Sequence, residues 1–269
     1  LCDFLSAAGA SQPCSSAPVN AVLVANAGVQ PADLVARFDR RLLIDAIVDA
    51  LDECDELAIG STERRLAYRV LLEAGDLDPQ GLMVFRDPRL VGALLGAVRR
   101  NEPGAIPAIS QILHRIDARH HEDVRDTIQA MLGGAVAVGA ALQQVVLIRS
   151  QDMLPLLPTL RGYVANPETV NPDIRFVDGE MPPGGLLTQD LTGRASIRAL
   201  AAQACVATAG LDTMMPIFRL LDGEGRVAAA HAIASELVLT GGKLEGSPQA
   251  HTGAARFIQN ALIDPADCE

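Results

Sequence analysis

Apolar residues along this chain recur at steps of three and four, the spacing that lines one face of an α-helix. Pro31-Ala32-Asp33 opens such a segment, with Leu34, Phe38, Leu42, Ile44, Ile47, Val48 and Leu51 on one side. Asp52, Glu53, Asp55 and Glu56 crowd its far end, where the helix dipole disfavours negative charge, so fraying is expected there. Ser61-Thr62-Glu63 reads as the cap of the next helix, with Leu66, Val70 and Leu71 inward and Gly75 as its stop. Asp87-Pro88 predicts another start, running through Leu94, Leu95 and Val98 to Arg99 and Arg100. Pro103 and Pro107 mark the first turn of a helix carrying Ile109, Ile112, Leu113 and Ile116. Residues 121–132 follow, then the almost wholly apolar run from Ala135 to Ile148, a pattern that predicts burial on every side.

Between Asn166 and Thr192 the texture changes. Pro167, Pro172, Pro182, Pro183, Gly179, Gly184 and Gly185 break any period, while Ile174, Phe176, Val177, Met181, Leu186 and Leu187 make the stretch too apolar for a solvated tether. A packed loop or lid is the expectation. Helices resume over 196–209, 213–221, 225–240 and 252–263. No segment sustains strand alternation. The reading is an all-α chain: an N-terminal helical region over 1–165, the loop over 166–192 and a C-terminal helical region over 193–269, together one compact domain.

Composition narrows the function. Of 269 residues 49% are apolar, yet only six Phe and two Tyr are aromatic and there is no Trp, so the core is aliphatic. The net charge is −11, and Lys243 is the sole lysine among 22 scattered basic residues, which argues against nucleic acid as a partner. No segment reaches the roughly 18 uninterrupted apolar residues that cross a bilayer. Cys2, Cys14, Cys54, Cys205 and Cys268 contain no Cys-x-x-Cys pair. Two disulfides, Cys2–Cys14 and Cys54–Cys268, with Cys205 buried and free, would suit an exported protein; five reduced thiols would suit a cytosolic one. The start at Leu1 rather than Met, and cysteines near both ends, favour export, although Leu1 is not the small residue that precedes a lipid-modified cysteine.

Motifs for catalysis are missing. There is no Gly-x-Ser-x-Gly, Ser-x-x-Lys or His-Glu-x-x-His, and Gly242-Lys243 lacks the Ser or Thr that a phosphate loop requires next. His114, Asp117 and His121 would share a helix face with Glu122 and His120 nearby, but Asp117-Ala118-Arg119 reads as a turn that splits that face. Cys205 and His231 sit in Ala-rich helical runs, where a small buried thiol and a packed imidazole are expected. The expectation is a protein with no catalytic residues, no bound metal and no cofactor.

Helices ending in Leu220-Leu221-Asp222, followed by Arg226 and the alanines Ala228, Ala229, Ala230 and Ala232, form a pattern that resembles the HEAT-type α-repeat. The stretches Ile109–Arg125 and Thr62–Leu72 echo it. Small residues let paired helices approach, and an Arg can tie the turn through carbonyl or carboxylate contacts. The exported, aliphatic, HEAT-like character also resembles the soluble helical component of bacterial lipid or sterol transport systems. That resemblance implies non-enzymatic binding of a hydrophobic small molecule in the periplasm, in reach of the outer membrane, with membrane transport proteins as partners. Methionine adapts to irregular apolar shapes. Met153, Leu154, Leu157, Tyr163, Phe176, Met181, Met214, Met215 and Phe218 are therefore the candidate ligand-binding residues, with Asn171, Asp173, Arg175, Asp178 and Tyr163 as candidates for a polar head. The alternative is a helical-repeat adaptor that binds another protein.

Overall fold

The structure is a computed structural model that describes residues 30–176 and 193–263 with gaps at 31, 34–35, 37–42, 45–46, 49–61, 77–87, 101, 103–112 and 136. Among the described residues every regular element is helical and there is no strand, so the all-α expectation holds. The chain divides by its internal contacts into two units, residues 1–127 and 128–269.

In the first unit, residues 43–44 and 47–48 are helical and buried, on the segment expected to open at Pro31. Helices α1 (Thr62–Asp76) and α2 (Pro88–Arg99) follow the sequence pattern, except that α1 runs through Gly75 instead of stopping there. Leu66, Ala67, Val70 and Leu71 of α1 and Val91, Leu94, Leu95 and Val98 of α2 are all buried. A buried polar cluster joins the two ends of this region. The Glu102 carboxylate, 1% exposed, accepts from Arg64 Nε at 2.8 Å, Arg64 Nη2 at 3.1 Å, the Tyr68 hydroxyl at 2.6 Å and Arg100 Nε at 2.8 Å. Burial alone would raise this carboxyl, and the bonds from Arg64, Tyr68 and Arg100 overcome it and hold Glu102 below its ordinary range. The same burial, with the bond to Glu102, pushes the Tyr68 phenol up to about 12.

Asp117 stands between two turns of 3-10 helix, Leu113–Arg115 and Ala118–His120, and caps the second, its side chain accepting from the Arg119 amide at 3.0 Å. That is the turn expected between two helices. The boundary between the units falls within α3 (His121–Leu132).

The second unit is built around α7 (Arg194–Ala209). This helix packs against α4 (Val138–Ile148), α5 (Leu157–Ala165) and α8 (Gly223–Leu239). Ala199, Ala201, Ala202 and Ala204 explain its central place: side chains this small let neighbouring helices approach closely, and all four are fully enclosed. α4 differs from the expectation of burial all round, because Gln143 and Leu147 face solvent while Gln144 is only 2% exposed. Residues 213–221 form no α-helix. They make two 3-10 turns, Leu211–Thr213 and Phe218–Leu220, with Pro216 between them unable to supply a helical amide. The last helix, α9 (Pro248–Ile258), starts four residues before the sequence expectation, with Ser247 as N-cap and Pro248 at its first position.

Arg198 locks this unit. It is fully enclosed, and donates to the carbonyls of Val164 at 2.9 Å and Ala165 at 3.0 Å, the exposed C-terminal carbonyls of α5. Its Nη1 lies 2.8 Å from Asp222 and 3.1 Å from Glu224 at the N-terminus of α8. At Asp222 the turn is tied by Arg198, an arginine the sequence reading did not single out. Asp222 also caps α8 through the Gly225 amide at 2.8 Å, and the Arg198 bond holds its carboxyl below the ordinary range.

Candidate functional site

The corner after α3 is shaped by two side chains. Helix α3 ends at Leu132, whose carbonyl has no partner within the helix. The Tyr163 hydroxyl of α5 donates to that carbonyl, and Asn171 Nδ2 donates to it as well at 3.1 Å and to Gly134 O at 2.9 Å. Tyr163 is fully enclosed and Asn171 is 4% exposed. Burial raises the Tyr163 phenol, and its bond with Asn171 offsets part of that rise. Asn171 is itself the C-cap of α6 (Pro167–Val170), a short helix capped at its other end by Asn166. Its Oδ1 accepts from the Asp173 amide at 3.1 Å, and the Arg175 amide reaches Ala135 O at 3.4 Å. Segments 132–135 and 171–175 are thereby pinned side by side.

Between them lies an open groove of about 520 Å³, lined by Gly133, Ala135, Pro172, Asp173, Ile174 and Arg175. Gly133 and Ala135 keep it wide because they carry almost no side chain. Asp173 and Arg175 are exposed, and among the described residues neither side chain forms an ion pair or hydrogen bond. The groove thus presents a small apolar floor, one guanidinium and one carboxylate. Such a site can hold a polar or charged end by charge, with Pro172 and Ile174 as its apolar contacts. It offers no nucleophile and no base poised on a nucleophile.

Of the polar-head candidates, Asp173 and Arg175 line this groove, Asn171 and Tyr163 do not line it but hold the Leu132 and Gly134 carbonyls beside it, and Asp178 lies outside the described residues. The apolar candidates lie elsewhere. Met153 and Met214 are fully enclosed and Phe218 is 9% exposed, stacked on Phe257 with ring centroids 4.0 Å apart. Leu157, Phe176 and Met215 are half-buried, Leu154 is exposed, and Met181 lies outside the described residues. None of the eight described apolar candidates lines the groove.

Cys205 is free and fully enclosed, and burial pushes its thiol up to about 12, with only partial relief from the Arg161 charge. His231 is exposed, which corrects the expectation of a packed imidazole: it falls on the outer side of α8. Cys2, Cys14, Cys54 and Cys268 lie outside the described residues. Among the described residues no three His, Cys, Asp or Glu side chains come together as a metal site, and no helix is long and apolar enough to cross a membrane.

A second polar centre escaped the sequence reading. Glu236 of α8 is fully enclosed. Its Oε1 accepts from Gln203 Nε2 at 2.6 Å and Arg149 Nη2 at 2.9 Å, and its Oε2 has no partner among the described residues. A glutamate one turn from the end of an Ala-rich helix carries no periodic signal that marks it as buried. No family model matches the chain, and no curated protein or solved structure matches it either.

Proposed function

We propose that this protein binds a hydrophobic small molecule with a polar end, a lipid or sterol, without transforming it. The groove between segments 132–135 and 171–175 carries the reading, because it is lined by Asp173 and Arg175, whose side chains pair with nothing among the described residues. Affinity comes from burial of apolar ligand surface at roughly 25 cal/mol per Å², and Arg175 or Asp173 orients the polar end. In the same reading the close pairing of α7 with α8 is a HEAT-like helical pair, the protein works in a bacterial periplasm near the outer membrane, and membrane transport proteins deliver or receive the ligand. The test is native mass spectrometry of gently purified protein followed by organic extraction. A stoichiometric lipid in the extract supports the reading.

The adaptor reading has its own observation. Val238 and Leu239, adjacent at the C-terminal end of α8, are 80% and 56% exposed, an apolar tip that suits a protein partner. A clean apo mass that takes up no lipid favours it.

A further inference from the structure

We infer that the polar end of the ligand is a zwitterion, a primary ammonium joined to a phosphate or carboxylate, which Asp173 and Arg175 take together. The inference rests on the groove reading and names the head group that reading leaves open. Asp173 and Arg175 are the charged residues among the described lining of the groove, and they are opposite in sign. Both are exposed, and neither side chain pairs with the other or with any described residue. Two residues of chain span at most about 7 Å, so both charges bear on one small head group. Their backbone is pinned. The Ile174 amide donates to the Asn171 carbonyl at 3.2 Å, the Asp173 amide to Asn171 Oδ1 at 3.1 Å, and the Arg175 amide to the Ala135 carbonyl at 3.4 Å.

A head of one sign meets one of these two charges as a repulsion. An anion on Arg175 alone stands close to the Asp173 carboxylate, in a chain whose net charge is already −11. A cation on Asp173 alone stands close to the guanidinium. A zwitterion makes both contacts favourable. Arg175 donates its paired N–H groups to phosphate or carboxylate oxygens, and the Asp173 carboxylate accepts from the ammonium. The ammonium is a primary one on chemical grounds. A quaternary ammonium has no N–H to donate and is held by aromatic faces, and the described lining contains no aromatic ring. Pro172 and Ile174 meet the first carbons of the tail.

The probes are dihexanoyl phosphatidylethanolamine, dihexanoyl phosphatidic acid, dihexanoylglycerol and free glycerophosphoethanolamine, each followed by heteronuclear NMR titration of the whole chain. The expected result is saturable shifts over residues 133–135 and 173–175, with phosphatidylethanolamine bound about tenfold or more tightly than phosphatidic acid or dihexanoylglycerol. Asp173→Asn should abolish its advantage over phosphatidic acid, and Arg175→Gln should weaken both phospholipids about tenfold or more. Both side chains are exposed, so amide positions distant from the groove should stay where they are in the wild type and report an intact fold. Dihexanoylglycerol or phosphatidic acid bound as tightly as phosphatidylethanolamine overturns the zwitterion and leaves the groove reading standing. The same holds if Asp173→Asn keeps the discrimination. Free glycerophosphoethanolamine bound as tightly as the lipid supports the head group and contradicts the apolar tail. Binding of none of the probes overturns both.

Discussion

Arg149 turns into the left-handed region, at φ 48° and ψ 38°, and from there its guanidinium meets Glu236 at 2.9 Å, 87 residues along the chain. It is the one non-glycine residue with positive φ among those described. Glycine suits such a helix C-cap at no steric cost, so the arginine is explained by what its side chain reaches. Arg149→Ala should cost about 1–2 kcal/mol, the range for a half-exposed bond to a buried charge. Arg149→Gly should cost roughly 1 kcal/mol less than that, by relieving the backbone. Adding Glu236→Gln to Arg149→Ala removes the uncompensated charge, so the double variant should be more stable than Arg149→Ala alone by urea denaturation. A double variant less stable than either single one would show that the pair is not the reason for Arg149.

Gly225 makes room for Arg198. A Cβ there would stand 2.0 Å from Nη2 and 2.6 Å from the central carbon of the guanidinium, which has no free space to retreat into. Gly225→Ala should therefore break the bonds to the Val164 and Ala165 carbonyls and cost about 3 kcal/mol or more. Gly223→Ala, with nothing within 4 Å of its added carbon, should cost no more than about 1 kcal/mol. Equal midpoints for the two variants in urea would refute the packing argument.

Alkaline pH should unfold this protein in a particular window. Cys205 and Tyr68 are both pushed up to about 12 by burial, from ordinary values of 9.0 and 10.0. The folded state holds these protons while the unfolded chain releases them. The stability these two groups contribute is therefore fully present below about pH 9 and falls as pH rises from there to about 12. Each group contributes a slope of about 1.4 kcal/mol per pH unit while only its unfolded form is ionised. Cys205→Ala should flatten the decline that begins near pH 9 and leave the Tyr68 part. In the native protein at pH 8 the Cys205 thiol should react with a disulfide reagent only as fast as the second unit opens.

Asn171 serves the groove more than the core. Asn171→Ala leaves the Gly134 carbonyl and part of the need of Leu132 unmet, a loss of about 1–3 kcal/mol. It also frees Asp173 from its anchor on Oδ1. Amide exchange should quicken over residues 133–135 and 172–175 while α7 stays protected. Protection unchanged at that corner would show that other contacts shape it.

How much of this was legible in the sequence depends on the kind of residue. The helical class followed from spacing alone, since apolar faces such as Leu66, Val70 and Leu71 declare themselves by period. Pro88 and the turn at Asp117 stood where their backbone chemistry required. Segment 213–221 misled because Met214, Ile217, Phe218 and Leu221 keep helical spacing, and all are buried, while Pro216 limits the chain to short turns. The polar-head candidates gathered because a broken, polar stretch after an apolar one marks a corner. The methionines misled in the opposite way. Met153 and Met214 fill core volume, and nothing in sequence distinguishes methionine that packs helices from methionine that meets a ligand. Arg198 and Glu236 were invisible, because their burial is a property of α7 meeting its neighbours and not of either local pattern.

The most direct test of the ligand reading is a titration of the purified protein with cholesterol and, separately, oleyl alcohol, followed by native mass spectrometry. The account predicts one bound equivalent that saturates, and at least tenfold weaker binding when Ile174→Asp places a charge in the groove lining. No uptake of either probe, or the same uptake in Ile174→Asp as in the wild type, would contradict it.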